Sequence, residues 1–162
     1  MKKKEPYLWL LVLAILIFAR AFIFTPIKVD GQSMQPTLRN NERGIMLKNY
    51  QNYSYGDIIV FKSGNQRMIK RIIALDGDVV EIDKNKVIVN DKILEENYLI
   101  TYSDKVEFID EMTEFSQLVE PNSVFVLGDN RLNSIDSRMI GSIPKEDILG
   151  KVLFVYGGWY FN

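Results

Sequence analysis

The chain begins with a hydrophobic segment that restricts where the rest of the protein can fold. Thirteen residues from Tyr7 to Ala19 carry no charge, and after Arg20 the apolar character continues to Phe24. As one helix, residues 7–24 would be about 27 Å long, which is enough to cross the hydrocarbon core of a bilayer. Three lysines precede the segment. By the positive-inside rule they predict a cytoplasmic N-terminus for residues 1–6, a single transmembrane anchor over 7–24, and an extracytoplasmic domain over 25–162.

Two other interpretations of this segment remain open. Residues 1–21 have the basic, apolar and small-residue parts of a cleavable signal peptide, with Ala19-Arg20-Ala21 as the cleavage site. A buried helix of a soluble protein is disfavoured, because the apolar residues surround the helix instead of forming one stripe. The anchor and the signal-peptide interpretations both place the domain outside the cytoplasm.

The composition of the remaining residues, 25–162, excludes several classes of function. The whole chain has a net charge of −1, and without its first 24 residues it has 16 basic and 20 acidic side chains, a balance of −4. Such an acidic domain argues against nucleic acid as a partner. The chain has no cysteine and no histidine, so disulfides and metal sites built on these residues are excluded. Only metal sites built on carboxylates remain conceivable, and we expect neither a metal nor a cofactor.

Hydrophobic alternation predicts a mostly β domain, barrel-like or a sandwich, on the single helical anchor. Residues 99–122 have weak periodicity and many charges, which predicts a loop, and Pro144–Asp147 predicts one short helical turn. A hairpin is expected around Asp83-Lys84-Asn85. The predicted strands are Ile27–Asp30, Gly44–Lys48, Asp57–Lys62, Met68–Ile73, Val79–Ile82, Lys86–Val89, Lys92–Leu94, Val124–Leu127 and Val152–Tyr156.

Ser33 and Lys70 are the candidate nucleophile and base. Without histidine or cysteine, a serine nucleophile in this chain needs a lysine or a carboxylate as its base. Lys70 lies in the apolar stretch Met68–Ile73, where burial would lower its pKa and supply a neutral amine near pH 7. Taken alone, Ser33 would more often be a turn or helix-cap residue, and Lys70 a strand lysine whose charged end reaches solvent.

A third polar feature follows the strand Val124–Leu127. Residues 128–138 contain two each of Asp, Asn, Ser and Arg. A solvated turn is the ordinary interpretation of such a stretch. A hydrogen-bonded network that positions other groups is the alternative, because one exposed turn rarely needs so many different polar side chains.

In combination, these motifs resemble the type I signal peptidases, and in length and single anchor the small Gram-positive form. The resemblance covers nearly the whole chain apart from residues 83–122. The motifs, in order, are Arg20-x-Phe22-x-Phe24-x-Pro26, Ser33-Met34-x-Pro36-Thr37-Leu38, Gly56–Phe61, Lys70–Asp78 and the polar stretch 128–138. The resemblance implies a membrane-bound serine endopeptidase that removes signal peptides from exported precursors, cleaving after small residues at Ala-x-Ala sites.

The resemblance also implies a role for each matching residue. Ser33 would be the nucleophile and its backbone N–H part of the oxyanion hole, Lys70 the general base, and Ser134 the residue that orients the lysine. Gly31 stands where some members carry a serine that donates to the oxyanion, so that donor is absent. Apolar walls of the substrate pockets would come from Val29, Met34 and Ile69, and structural ion pairs from Arg71 with Asp129 and from Asp136 with Arg138.

The implied partners are signal peptides, membrane lipid and the secretion translocon. Several rival functions remain open. A peptidase of the same chemistry could serve one pilin-like or conjugation substrate, and residues 83–122 would decide this. A self-cleaving repressor-type Ser/Lys domain is disfavoured by the exported topology. The other rivals are a non-catalytic homologue that binds signal sequences and a plain membrane-tethered β adaptor.

Overall fold

The computed structural model of the chain describes residues 5–83, 86–99 and 114–157, and these residues fold mainly into antiparallel β-sheet. The predicted mostly β class is therefore confirmed. Two sheets are present in the described part of the chain, one of seven strands and one of four. The predicted hairpin is also found, although its tip at residues 84–85 lies outside the described residues.

The N-terminal helix, α1, extends over Glu5–Phe22. It thus differs from the predicted span of 7–24 at both ends. Phe24 belongs to the first strand, where it pairs with Leu47, and this pairing ends the helix earlier than the apolar pattern suggested. Apolar side chains of α1 such as Trp9 and Leu16 are largely exposed. In the described residues no helix has both the length and the apolar character that a membrane crossing requires.

The strands of the larger sheet, in their order across it, are β1 (Phe24–Lys28), β2 (Arg43–Lys48), β11 (Ile148–Tyr156), β3 (Ile58–Ser63), β4 (Gln66–Leu75), β9 (Ser123–Leu127) and β10 (Ile143–Pro144). Its long strands β4 and β11 each have a register shift against a neighbour, which bends the sheet. Strand β1 forms one edge, where the missing N–H of Pro26 is tolerated.

The strands of the smaller sheet, in their order across it, are β7 (Lys92–Ile93), β6 (Lys86–Val89), β5 (Val79–Asp83) and β8 (Glu114–Leu118). Strand β8 lies inside the predicted loop 99–122, so that prediction was wrong for Glu114–Leu118. The reason is that β8 is an edge strand with exposed residues, which weakens its apolar alternation. Residues 100–113 of the predicted loop lie outside the described residues.

Two hydrophobic cores lie on opposite faces of the strands β4 and β9. Ile72, Val124 and Val126 pack with the β3 residues Ile59 and Phe61. The other core joins the two sheets and contains Ile73, Ala74, Val80, Ile82, Val87, Val119, Phe125 and Leu127. Burial on both faces explains why residues 72–75 of β4 and 124–127 of β9 are continuously apolar instead of alternating.

Short helical segments complete the fold after β9. Helix α2 covers Ser137–Ile140 and is capped at its start by the Asp136 side chain. A single 3₁₀ turn over Lys145–Asp147 occupies the place where a short helical turn was predicted. It leads directly into β11.

Gly150 allows β11 to pack closely in the middle of the larger sheet. It pairs with Lys48 of β2 on one side and with Val60 of β3 on the other. A Cβ atom here would overlap the carbonyl oxygen of Leu47 and lie 2.7 Å from Met46 Cγ. The Leu47 backbone is held in the sheet and the Met46 side chain is buried, so neither can move away from an added Cβ atom. A side chain at position 150 would therefore strain the sheet.

We therefore expect Gly150→Ala to destabilise the fold by about 2 kcal/mol, the middle of the range for overpacked cores. Urea unfolding measures this change. Lys62→Ala, at an exposed position on β3, is the control and should change stability by less than about 0.5 kcal/mol. Equal stability of the two variants would contradict the close packing described for β11.

Candidate active site

Ser33 lies in the short loop that follows β1. The residue after it, Met34, and Leu38 are both buried and pack with Val29 in a small apolar cluster. The Leu38 amide donates to the Met34 carbonyl oxygen at 2.8 Å, which closes a turn beside the serine. Because its neighbours are fixed in the core, the half-buried Ser33 side chain is held at the surface of this cluster.

Lys70 lies in the middle of β4 and is 2% exposed. Removal from water disfavours the charged amine, and this burial lowers the pKa of Lys70 from 10.5 to about 8. The Arg138 charge acts in the same direction, while Asp136 and Asp129 partly oppose the shift. A substantial fraction of Lys70 is therefore a neutral amine at pH values slightly above neutrality.

Ser33 and Lys70 line the same cavity, which has a volume of about 340 Å³. The cavity lies between β1 with the residues after it and the first half of β4. Val29, Met34 and Ile69, the three predicted pocket residues, also line it. The other lining residues are Thr25, Pro26, Ile27, Lys28, Asp30, Gly31, Met46, Val60, Gln66, Arg67, Met68 and Leu149.

Both sides of this cavity carry a strand edge without a neighbour in the described part of the chain. Strand β1 is the terminal strand of its sheet. Residues 66–70 of β4 pair with β3, but the pairing of β4 with β9 begins only at Arg71. Main-chain N–H and C=O groups on these edges are thus available to an extended peptide.

The polar stretch 128–138 forms a closed hydrogen-bonded network and not a solvated turn. The buried Asp136 carboxylate accepts from the Gly128 amide at 2.9 Å and pairs with the Arg138 guanidinium at 2.8 Å. Arg138 also donates to the Arg131 carbonyl oxygen at 2.8 Å. The Ser137 hydroxyl accepts from the Val126 amide, which ties the network to β9.

This network holds the backbone of the Ser33 loop. The Asn130 amide donates to the Ser33 carbonyl oxygen at 2.9 Å, and the Asn130 side chain donates to the Gln32 carbonyl oxygen at 3.2 Å. A Cβ atom at Gly128 would lie 2.6 Å from the same Ser33 oxygen and would overlap the Ser134 hydroxyl. Only glycine permits this close approach of the two loops. The roles of Gly128 and Asn130 were not predicted, because they depend on contacts about one hundred residues apart.

Ser134 lies beneath Gly128 with its hydroxyl oxygen buried. Within the described residues this oxygen has no hydrogen-bond partner. A buried hydroxyl without a partner is costly and uncommon. The predicted hydrogen bond from Ser134 to Lys70 is not made in this structure, and the orienting role of Ser134 stays a prediction.

Arg71 follows Lys70 and forms a buried ion pair. Its guanidinium contacts both carboxylate oxygens of Asp129, at 2.9 and 2.7 Å. It also donates to the Gly56 carbonyl oxygen at 2.9 Å and to the Thr37 hydroxyl at 3.3 Å. Arg71 therefore joins the Ser33 loop, the turn before β3 and the polar network.

The structure also contains two contacts that sequence reasoning missed, both from the segment after β7. Glu96 forms a buried ion pair with Arg131, and the Tyr98 ring stacks on the Arg71 guanidinium at 3.9 Å. These residues lie in the range 83–122, where no motif was found. A glutamate and a tyrosine in a charged segment give no signal for such long-range pairing.

These groups suit acyl transfer to a serine. A half-buried hydroxyl and an amine with a lowered pKa share one cavity, and main-chain edges beside them can align a peptide. Within the described residues there is no group of three or more acidic side chains that could hold a metal ion.

Comparisons with known proteins agree with this chemistry. The model of the family "Signal peptidase, peptidase S26" matches residues 4–159. Signal peptidase I S of Bacillus subtilis is 41% identical over 153 residues, covering 90% of this chain and 82% of that protein. Signal peptidase IB of Staphylococcus aureus is 34% identical over 179 residues, covering 99% and 93%.

A solved structure is also similar to the chain. The crystal structure of a signal peptidase I from Enterococcus faecalis is matched with a TM-score of 0.56 and 30% sequence identity. The match covers 65% of this chain and all of the crystallised one. The chain therefore belongs to the signal peptidase family S26, and it is a serine endopeptidase of the type I signal peptidase class.

Proposed function

We propose that this enzyme removes signal peptides from exported precursor proteins with a dyad of Ser33 and Lys70. The observation that carries the proposal is that both residues line one cavity, where burial brings the pKa of the lysine to about 8. An ordinary exposed lysine would be almost fully protonated at neutral pH and could not accept the serine proton.

The reaction proceeds in two steps. The neutral Lys70 amine accepts the Ser33 hydroxyl proton while the serine oxygen attacks the scissile carbonyl carbon. The Ser33 backbone N–H stabilises the oxyanion of the tetrahedral intermediate. The Lys70 ammonium then donates its proton to the leaving amine, which frees the mature protein and leaves the signal peptide as an ester on Ser33. Lys70 next accepts a proton from a water molecule, whose oxygen attacks the ester carbonyl carbon. The Lys70 ammonium then returns the proton to the Ser33 oxygen as the signal peptide leaves with a free carboxyl group.

Ser134 is the proposed positioning residue for the lysine. Its buried hydroxyl has no partner among the described residues, and a hydrogen bond with the Lys70 amine would supply one. Arg71 and Asp136 act at greater distance, through the ion pairs with Asp129 and Arg138 that fix the network around the dyad.

The substrate binds as an added strand between the free edges of β1 and β4. Main-chain hydrogen bonds to these edges provide affinity without sequence preference. In this proposal specificity comes from the cavity walls, where the apolar side chains of Val29, Met34 and Ile69 would select small apolar side chains of the substrate. This explains a preference for alanine as the first and third residues before the cleavage site, the Ala-x-Ala pattern.

We further propose that α1 anchors the enzyme in the cell membrane. Its exposed apolar side chains, among them Leu10 and Phe18, would otherwise remain in water at a high cost in free energy. The N-terminal lysines favour a cytoplasmic N-terminus and an extracytoplasmic catalytic domain. Tethering raises the effective concentration of enzyme at the bilayer surface, where precursors leave the translocon.

Loss of either member of the dyad is expected to abolish cleavage. In detergent or lipid, Ser33→Ala and Lys70→Ala should each reduce cleavage of an Ala-x-Ala precursor by about 1000-fold or more, because neither residue works without the other. Ser116→Ala and Lys62→Ala, both at exposed positions, are the matched controls and should cleave like wild type. Cleavage that persists in folded Ser33→Ala would refute the proposal.

Activity should also depend on pH through Lys70. Below pH 8 most of the lysine is protonated and inactive as a base, so kcat/KM should rise about tenfold per pH unit and level off above pH 8. The measurement is kcat/KM for a signal-peptide substrate between pH 6 and pH 10. A rate that is constant over this range, or that falls through pH 8, would exclude Lys70 as the base.

A further inference from the structure

The segment after β7 forms a short turn that contacts two arginines near the dyad, Arg131 and Arg71. The Leu99 amide donates to the Glu96 carbonyl oxygen at 3.0 Å, and the Tyr98 hydroxyl donates to the Glu96 carboxylate at 2.7 Å. The turn is fixed to the smaller sheet, because the Leu94 amide donates to Val87 and the Leu94 side chain packs on the core there. We call residues 96–99 the Glu96 turn.

The first contact of the Glu96 turn acts on the backbone of Gly128. Both terminal nitrogens of Arg131 bind the Glu96 carboxylate, one of them at 2.9 Å, and the Arg131 side chain is 2% exposed. The remaining nitrogen, Nε, donates to the Gly128 carbonyl oxygen at 3.0 Å. Gly128 is the residue that packs against the Ser33 carbonyl and Ser134. A continuous series of contacts thus joins Glu96 to the Ser33 loop.

The second contact of the turn acts on Arg71. The Tyr98 ring lies against one face of its guanidinium, whose edges are occupied by Asp129, Gly56 and Thr37. Such stacking favours one orientation of a buried guanidinium. Thr37 belongs to the Ser33 loop, and Asp129 adjoins Gly128. The Tyr98 contact therefore acts on the same two segments as the Glu96 contact.

We propose that Glu96 and Tyr98 are positioning residues for the catalytic dyad, acting through Arg131 and Arg71. The inference rests on the proposed function of Ser33 and Lys70. It gives the smaller sheet a part in catalysis, since that sheet carries the turn that holds the Gly128–Asn130 backbone against Ser33. Stability alone does not require this arrangement, because a buried ion pair is often no more stabilising than apolar side chains of similar volume.

The test is steady-state kinetics of Glu96→Gln and Tyr98→Leu with an Ala-x-Ala precursor. Glu96→Gln keeps an acceptor but removes the charge, and Tyr98→Leu keeps apolar volume but removes the ring. We expect kcat to fall about 10- to 100-fold in each, as small displacements of catalytic groups do, while KM changes less than about threefold. The pH midpoint of kcat/KM should rise, because a loosened network admits water to Lys70.

Two conservative variants complete the design. Tyr98→Phe keeps the stacked ring and loses only the hydrogen bond to Glu96, so it should retain most of the wild-type kcat. Glu95→Gln makes the same substitution at the exposed neighbouring residue and should match wild type in kcat and in pH midpoint. If Glu96→Gln does not fold because the buried Arg131 loses the charge of Glu96, Tyr98→Leu compared with Tyr98→Phe decides the question.

A folded Glu96→Gln or Tyr98→Leu enzyme with the kcat and pH midpoint of Glu95→Gln would overturn the inference. Reduced thermal stability with unchanged kcat would overturn it as well, since that result means a structural role only. If wild type and Glu95→Gln both fail to cleave the precursor, the proposed function fails and takes the inference with it. If wild type and Glu95→Gln both cleave the precursor normally, a negative result for Glu96 and Tyr98 overturns the inference and leaves the proposed function intact.

Discussion

Burial of the Lys70 amine is the constraint on which the rest of the active site depends. Lys70 lies in the middle of a central strand and is 2% exposed. Burying its ammonium form there costs free energy, which favours the neutral amine. The surrounding apolar residues of β3 and β4 exclude water, and they are the same residues that form the core of the larger sheet. Stability of the sheet and basicity of the lysine are therefore linked, because any opening of the core would restore the charge.

The polar network at residues 128–138 has the complementary task of placing the nucleophile. It contains buried charges, but each ion pair is closed within the network or by Arg71 and Glu96. Its contact with the Ser33 loop is made by backbone atoms of Gly128 and Asn130, which have little freedom once the side chains are paired. The serine and the lysine thus reach one cavity from different parts of the chain, each fixed by a separate set of interactions.

Much of this arrangement could be predicted from the sequence. The features that could not be predicted depend on contacts between residues far apart in the chain. Apolar runs predicted most strands, and the missing histidine together with the motifs singled out Ser33 and Lys70. The contacts of Glu96 with Arg131 and of Tyr98 with Arg71 could not be predicted, because they join residues 35 and 27 positions apart without a local pattern. The end of α1 was misplaced for a similar reason, since it is set by the pairing of Phe24 with Leu47.

The most direct test of this account is the pKa of the Lys70 amine in the folded enzyme. Lysine side chains labelled with ¹⁵N at Nζ can be titrated by NMR, and the signal missing from Lys70→Met identifies the residue. The expected midpoint of the Lys70 signal is near pH 8. A midpoint for Lys70 close to its ordinary value of 10.5 would mean that the amine is charged at neutral pH, and it would contradict the role of Lys70 as the base.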